Sequence, residues 1–385
     1  MITLRGITWE NPRGYDPLVA AAAQWTATHP EVEITWYQQP WYLFEEHILA
    51  SLAAGDGKYD LIMFDHPWVG KLANEQWLLP WNSLLSDDYF VDLQQRVVAP
   101  SVKSYEWNGR LWALPLDAAS HASLYRADMI NRAELPQTWE DVAAWAKAHH
   151  DPPHRYGLVL SLEGVLGHCL FLSMMAGMGH HAFHDPENPT CDPQAAEYVL
   201  RLLKELIQFV PPGSTQWGPW DIYDHMTQQS DVGYSPSIFA YVNYFTRQPY
   251  SQHLRLGTVP SFFGRKGGRP ILGGVGLGIA HTCTPVEEAA AYGRFLMSEE
   301  TQREIFPYKS GQPATNKVWQ DEQINKRVNN FYLGLNENMK NAYIRPRYPA
   351  FHALEIRNGR ILQQWWDDKM ALGDVIQQLN KPVTV

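Results

Sequence analysis

The stretch NGRLWALPLDAASHASLYRADMI, from Asn108 to Ile130, decides how the chain is organised. Asn108-Gly109 reads as a two-residue hairpin turn, because both residues tolerate positive φ. Leu111 to Leu114 continue as apolar strand, and Pro115 interrupts it. A proline cannot donate to a strand ladder, so it stands at an edge or where pairing changes. Pro115 therefore marks the point at which the chain leaves one sheet and enters another. Asp117, with Ser120 and His121 close behind, falls between two lobes rather than inside either. Leu124-Tyr125-Arg126 resumes as strand, and Asp128 is placed to cap the next element.

Upstream of this crossing the chain alternates. Residues 2–9 are β-branched and alternate, the pattern of a strand. The turn-rich loop 10–16 ends on Asp16, a cap for a helix reaching His29. Residues 32–37 repeat the strand pattern, and 41–54 place Phe44, Ile48 and Leu52 at helical spacing. Residues 59–64 are almost continuously apolar, as in a strand buried on both faces. Asp65-His66-Pro67-Trp68 comes at once after it. The order β-α-β-α-β-α implies an open α/β sheet, whose ligands sit beyond the carboxyl ends of its strands. Loops 10–16 and 65–68 occupy such ends.

Downstream, Thr138 opens a helix to about His149, and 156–160 reads as a short strand ending at Glu163-Gly164. A buried helix covers 164–178. Asp192 caps another from Pro193 to Phe209, and 222–229 is a short helix. Residues 254–259 return as strand, and 270–280 join a glycine-rich turn to an apolar strand. Thr284-Pro285 starts a helix by the cap-then-proline rule, and the remainder is mainly helical. No low-complexity linker appears, so the lobes are joined by several strands.

The 385 residues exceed one ordinary core. A net charge of −10 argues against nucleic acid as partner. No apolar run reaches the roughly 18 residues a membrane helix needs, and residue 2 already begins a strand, with no export signal ahead of it. Cys169, Cys191 and Cys283 are scattered, and their spacing selects no disulfide. The outlier is 16 Trp and 19 Tyr, flat faces suited to stacking on sugar rings or holding cations.

Catalytic motifs are weak. Residues 273–278, GGVGLG, lack the Lys-Ser/Thr of a phosphate loop and lead into a strand. His180, His181 and His184 lack a supporting ligand helix and read as a surface loop, so no metal is expected. Asp65 and Asp117 as glycosidase carboxylates are the alternative, a hydrolase of a sugar derivative. Binding is the main reading. Trp9, Tyr15, Trp68, Tyr234 and Tyr241 stand near loop ends with Arg13, Asp65, His66, Asp117 and His121. A polar ligand sealed between lobes needs a partner for each hydroxyl, since a buried unmet group costs about 1–3 kcal/mol. Arg13, His66, His121 and Arg345 leave room for an acidic ligand. Asp117 is expected to touch the ligand and to be replaceable without loss of apo stability.

The runs 111–117, 124–128 and 135–141, in that order, resemble the bacterial extracellular solute-binding proteins of the carbohydrate-uptake, maltose-binding-like type. Residues 273–280 followed by 285–290, 295–298 and Thr301-Gln302 are similar to that family's late strand–helix signature, and 311–314 to its next loop. The resemblance implies an α/β, two-lobe periplasmic-binding-protein-like fold of type II with multiple crossing strands, a cleft between the lobes and hinge closure without catalysis. It also implies an ABC transporter permease as partner and a periplasmic or membrane-associated extracellular location. Neither cofactor nor metal is expected, and the chain is taken as a monomer. The lobes are expected over 1–115 plus 254–305 and over 116–253 plus 306–385. Trp9, Glu10, Asn11, Arg13, Asp65, His66, Asp117, Tyr234, Gly273 and Gly274 match cleft-lining segments by position. Tyr15, His121, Glu163, Ser235 and Arg345 complete the expected ligand-binding set. Val275 departs from the pattern, standing where the family often has an aromatic. The cargo expected is a sugar, polyol or sugar acid.

Overall fold

β1 (Ile2–Trp9) runs parallel to β2 (Val32–Gln39) on one side and β3 (Leu61–Asp65) on the other. The crossovers are α1 (Pro12–Thr28) and α2 (Trp41–Ala54). The strand Val275–Ala280 adds antiparallel to β3, and β4 (Leu78–Leu79) closes the far side of this six-stranded sheet. Leu61, Ile62, Met63 and Phe64 are wholly buried, as a strand covered on both faces requires. These features belong to a computed structural model in which residues 1–246, 249–262 and 267–381 are described.

The crossing falls at the proline. Leu114–Pro115 pairs with Val275–Ala280 in the first sheet, and Ala119–Arg126 is the central strand of a second, four-stranded sheet. Its neighbours Tyr234–Phe239, Leu254–Gly257 and Leu272–Gly273 are all antiparallel to it. The return passage lies alongside, because Gly274 alone separates Leu272–Gly273 in the second sheet from Val275–Ala280 in the first. Gly274 has φ +109°, and a Cβ there would lie 3.0 Å from both the carbonyl and a carboxylate oxygen of Asp117. Glycine is the residue that permits this approach. The buried core continues through the crossing with Leu114, Leu116, Ala118 and Leu124, while a second apolar cluster fills the space around the helices Gly164–Gly177 and Pro193–Leu206.

Several local expectations are corrected. α1 starts at Pro12, not after Asp16, because the Asn11 side chain accepts from Arg13 N at 2.9 Å. Proline at the first helical position suits a start there, and Arg13 enters the first turn. Asp128 caps no helix; its carboxylate binds Arg126 instead. Residues 156–160 form no strand beyond an isolated bridge from Tyr156 to Val232. Leu254–Gly257 pairs with Ala119–Arg126, so by sheet membership the chain returns to the first sheet at Val275 rather than at 254. Residues 382–385, placed in the second lobe by the sequence reading, lie outside the described residues. Among the described residues no helix is long and apolar enough to cross a membrane.

The helix Phe351–Trp366 packs along Gly164–Gly177 and touches the short turn His66–Trp68 that comes after β3. The segment leading into it is seated on α3 (Val69–Asn74), where a Cβ on Gly70 would overlap the carbonyl of Arg347. Gly70→Ala is expected to destabilise the protein by about 1–3 kcal/mol, the usual cost of overpacking. Urea unfolding of the two proteins checks this, and an unchanged midpoint would contradict the packing described.

Candidate functional site

Strand ends and helix starts from both sheets meet around one cavity of about 260 Å³. The first sheet contributes Trp9 at the end of β1, Arg13 in the first turn of α1, and Trp41 and Tyr42 at the head of α2, with Asp65 and Trp68 beyond β3. Phe239, Tyr241 and Trp220 face them from the other side, and Gly273, Gly274 and Val275 form the wall at the crossing. Trp9 and Trp41 stand 5.0 Å apart between ring centroids, with Phe44 stacked behind Trp41. The site thus has aromatic faces on two sides.

Arg13 is the first charged anchor. It is 4% exposed, and its guanidinium lies 4.8 Å from the Tyr241 ring and 5.7 Å from that of Trp9. Its Nε and Nη2 donate to Asp117 Oδ2 at 2.9 and 2.5 Å, while Asp117 Oδ1 accepts from Val275 N at 2.7 Å. Burial pushes the Asp117 carboxyl above its ordinary value, although Arg13 and the Val275 N–H pull it down. Asp117 is also 4% exposed and lies behind Arg13, off the cavity wall. It positions the arginine, and it does not stand among the lining residues where the sequence places it.

Arg345 is the second anchor. Its Nη2 donates to Asp65 Oδ2 at 2.6 Å and its Nη1 to Glu355 Oε1 at 2.8 Å. His352 continues the series, with Nδ1 3.3 Å from Glu355 Oε2 and Nε2 2.8 Å from Glu45 Oε2. Charges of alternating sign therefore run from β3 through the helix Phe351–Trp366 to α2. Burial alone would raise Asp65, but Arg345 beside it holds its carboxyl well below the usual range. Burial is likewise outweighed at Glu355, chiefly by Arg345, which brings it to about 2. Burial disfavours charged His352, yet the hydrogen bond to Glu355 and the Glu45 carboxylate beside it lift it to about 9. His352 is a cation at neutral pH.

The other expected residues divide. Trp9, Arg13, Asp65, Glu163, Gly273, Gly274 and Arg345 line the cavity. His66 and His121 do not. Burial pushes both down, His121 to about 3, so neither supplies the cation expected for an acidic ligand. His66 Nδ1 lies 3.1 Å from Asp65 Oδ1 at an angle that makes no hydrogen bond, and His121 Nδ1 is 3.0 Å from Ser237 Oγ. Tyr234 and Ser235 are buried within the second sheet, where the Tyr234 ring meets Trp145 at 5.0 Å. Glu10 is exposed, Asn11 caps α1, and Tyr15 packs on the core.

The sequence reading missed Trp41, Tyr42, Glu45, His352 and Glu355. The first three had a signal. The run WYLFEEH begins at the end of β2, and its aromatic and acidic residues off the Phe44–Ile48–Leu52 face point elsewhere than the core; Tyr42 is 80% exposed. His352 and Glu355 had none, because only tertiary contact brings them to Glu45 and Arg345. Among the described residues no three His, Cys, Asp or Glu side chains are grouped to hold a metal. The three cysteines are free and buried; Cys169 lines the cavity with its thiol pushed up by burial.

Comparison with known proteins agrees with this architecture. A family model described as bacterial extracellular solute-binding protein matches residues 9–303. The chain is 26% identical over 230 residues to the maltotriose-binding protein of Pyrococcus abyssi, covering 58% of this chain and 46% of that protein. It is 24% identical over 203 residues to the mannitol-binding protein of Pseudomonas aeruginosa, covering 50% and 45%. The chain thus spans about half the length of the curated relatives it matches. Among solved structures, a solute-binding protein of Agrobacterium radiobacter in complex with ribitol superposes with TM-score 0.87 at 17% identity, covering 98% of this chain and 97% of that one. Maltose-bound MalE3 of T. maritima gives 0.85 at 20% identity, covering 99% and 98%. The fold is the two-lobe, type II arrangement of these proteins.

The buried charges make two outcomes measurable. Asp117→Ala leaves Arg13 buried without its partner and is expected to cost about 3–5 kcal/mol in urea unfolding. The double variant Arg13→Met/Asp117→Leu should lose less, and equal losses would refute the coupling. His352 holds its proton to about pH 9 in the folded chain, against about 6.5 when unfolded. Its stabilisation is complete below pH 6.5 and is lost as pH rises through 9. The stability gap between wild type and His352→Gln should therefore shrink over that interval, as melting curves would read; a constant gap would contradict a protonated His352.

Proposed function

Since the chain belongs to the bacterial extracellular solute-binding proteins, we propose that its cavity captures a small polyhydroxylated molecule by closure of the two lobes. The cargo is a sugar, polyol or sugar acid, passed unchanged to an ABC permease. The observation that carries this reading is one space of about 260 Å³ walled by aromatic faces and hydrogen-bonding groups from both sheets. That volume lies just below the range of drug-sized ligand pockets, roughly 300 to 1,000 Å³, and suits a small cargo. Aromatic rings suit the apolar faces of a carbohydrate, while its hydroxyls need polar partners. Two buried donors of the lining, Trp9 Nε1 and Arg345 Nε, have no hydrogen-bond partner among the described residues.

Binding is favoured over hydrolysis by the state of the carboxylates. Asp65 is engaged by Arg345, and Asp117 is engaged by Arg13 and lies off the cavity wall. A glycosidase needs two carboxyl groups facing the bond to be cleaved. The two adjacent passages between the sheets, with Gly274 in one of them, are a short hinge of the kind that supports lobe closure. The receptor acts as a monomer outside the cytoplasmic membrane. The named relatives, maltotriose-binding and mannitol-binding, support this class of cargo.

Titration with ribitol, mannitol, maltose and maltotriose, monitored by tryptophan fluorescence and by chromatography of the recovered compound, tests the reading. At least one is expected to bind and return intact, and Trp41→Ala should weaken it at least tenfold. Appearance of a product would favour the hydrolase; silence from all four would remove this class of cargo.

A further inference from the structure

The charges around the cavity do not balance. Among the described residues its cations are three: Arg13, Arg345 and His352. Each is already engaged by carboxylates, Arg13 by Asp117, Arg345 by Asp65 and Glu355, and His352 by Glu355 and Glu45. Glu163 also lines the cavity and has no cationic partner among the described residues. Among the described residues five carboxylates thus stand against three cations, an excess of two negative charges, and the one carboxylate with no cationic partner is Glu163.

Its position matters as much as its charge. Glu163 immediately precedes the helix Gly164–Gly177, and Gly164, Val165 and Leu166 line the cavity beside it. A helix start draws anions through its free N–H groups and its dipole. Here the chain's own carboxylate stands where a ligand carboxylate would be drawn, and the Glu163 side chain makes no cap hydrogen bond that would explain it structurally. The neighbouring helix Pro219–Gln228, which brings Trp220 to the cavity, also carries a carboxylate at its start, in this case a capping one: Asp221 accepts from Gly218 N at 2.8 Å. Asp221 lies close enough to add its repulsion to burial in raising Glu163.

We propose that Glu163 determines specificity by repelling carboxylate-bearing ligands, so that the cargo is an uncharged or amino-bearing polyhydroxy compound rather than a sugar acid. This rests on the reading of the cavity as a ligand site and narrows its class. An entering carboxylate would give up its hydration and, among the described residues, meet only cations whose charge is already matched by carboxylates. A ligand hydroxyl donates to Glu163 at no such cost, and an ammonium group gains a charge-assisted bond.

The test uses ribitol, mannitol and maltose, each beside its own aldonate and its own amino-deoxy derivative, titrated by calorimetry into wild type, Glu163→Gln and Glu163→Asp. In wild type the aldonate should bind at least tenfold more weakly than its neutral parent, and the amine at least as tightly. In Glu163→Gln the discrimination against the aldonate should shrink and the advantage of the amine disappear, while Glu163→Asp retains both. An aldonate that binds wild type as well as its parent overturns the inference and leaves the receptor function standing. So does a ratio unmoved by Glu163→Gln. Absence of binding by all nine compounds overturns the reading of the cavity itself, and the inference with it.

Discussion

Asp117 stands where the two sheets are stitched together, and its carboxylate serves both passages at once. One oxygen accepts the N–H of Val275, the first residue back in the first sheet, while the other holds Arg13 across the gap. The Leu116 N–H to the Val275 carbonyl, 2.9 Å, ties the same two passages through the backbone. A carboxylate this buried is costly unless its lone pairs are met, and here both oxygens are. The pair therefore holds the strand crossings in register and fixes the guanidinium that faces Tyr241 and Trp9. Cavity geometry and sheet geometry share one interaction.

The second set of charges does a different job. Arg345 and His352 arrive on the C-terminal segment, which packs against the helix Gly164–Gly177, and they pair with Asp65 and Glu45 from the first sheet's side. Ion pairs sunk between two bodies carry orientation more reliably than stability, because desolvation offsets most of the attraction. Among the described residues, these pairs leave the cavity without an unpaired cation and with an excess of negative charge. A receptor whose cargo is held by ring faces and hydroxyl bonding has no need of one, whereas a carboxylate binder does.

Legibility tracked the range of the interaction. Asn108-Gly109 joins the short strands Glu106–Trp107 and Arg110–Leu111 as its turn chemistry requires, and Pro115 sits at the change of sheet because it lacks an N–H. α2 spans Trp41–Ala54, as its spacing of Phe44, Ile48 and Leu52 indicates. Thr138 caps the helix Trp139–Ala148 and Asp192 caps Pro193–Leu206. Where two local signals competed the outcome was less readable: Asn11-Pro12 captured the start of α1 from Asp16. Tyr234 and His121 stand on strands near the cavity yet belong to the sheet interior, since alternation along a strand sends neighbouring side chains to opposite faces.

Residue order alone was enough to dictate the succession of elements, the crossing at Pro115 and the supply of aromatic and charged residues at strand ends. Each of these is set by forces acting within a few residues: φ limits, a missing donor, the period of the apolar positions. Which charges meet was settled only once the chain had folded. Arg345 finds Asp65 at a separation of 280 residues, and whether a histidine is a cation depends on what surrounds it: carboxylates for His352, an apolar wall and a serine for His121. Coulomb attraction and desolvation depend on distance and burial in space, and neither is written in the spacing of residues along the chain.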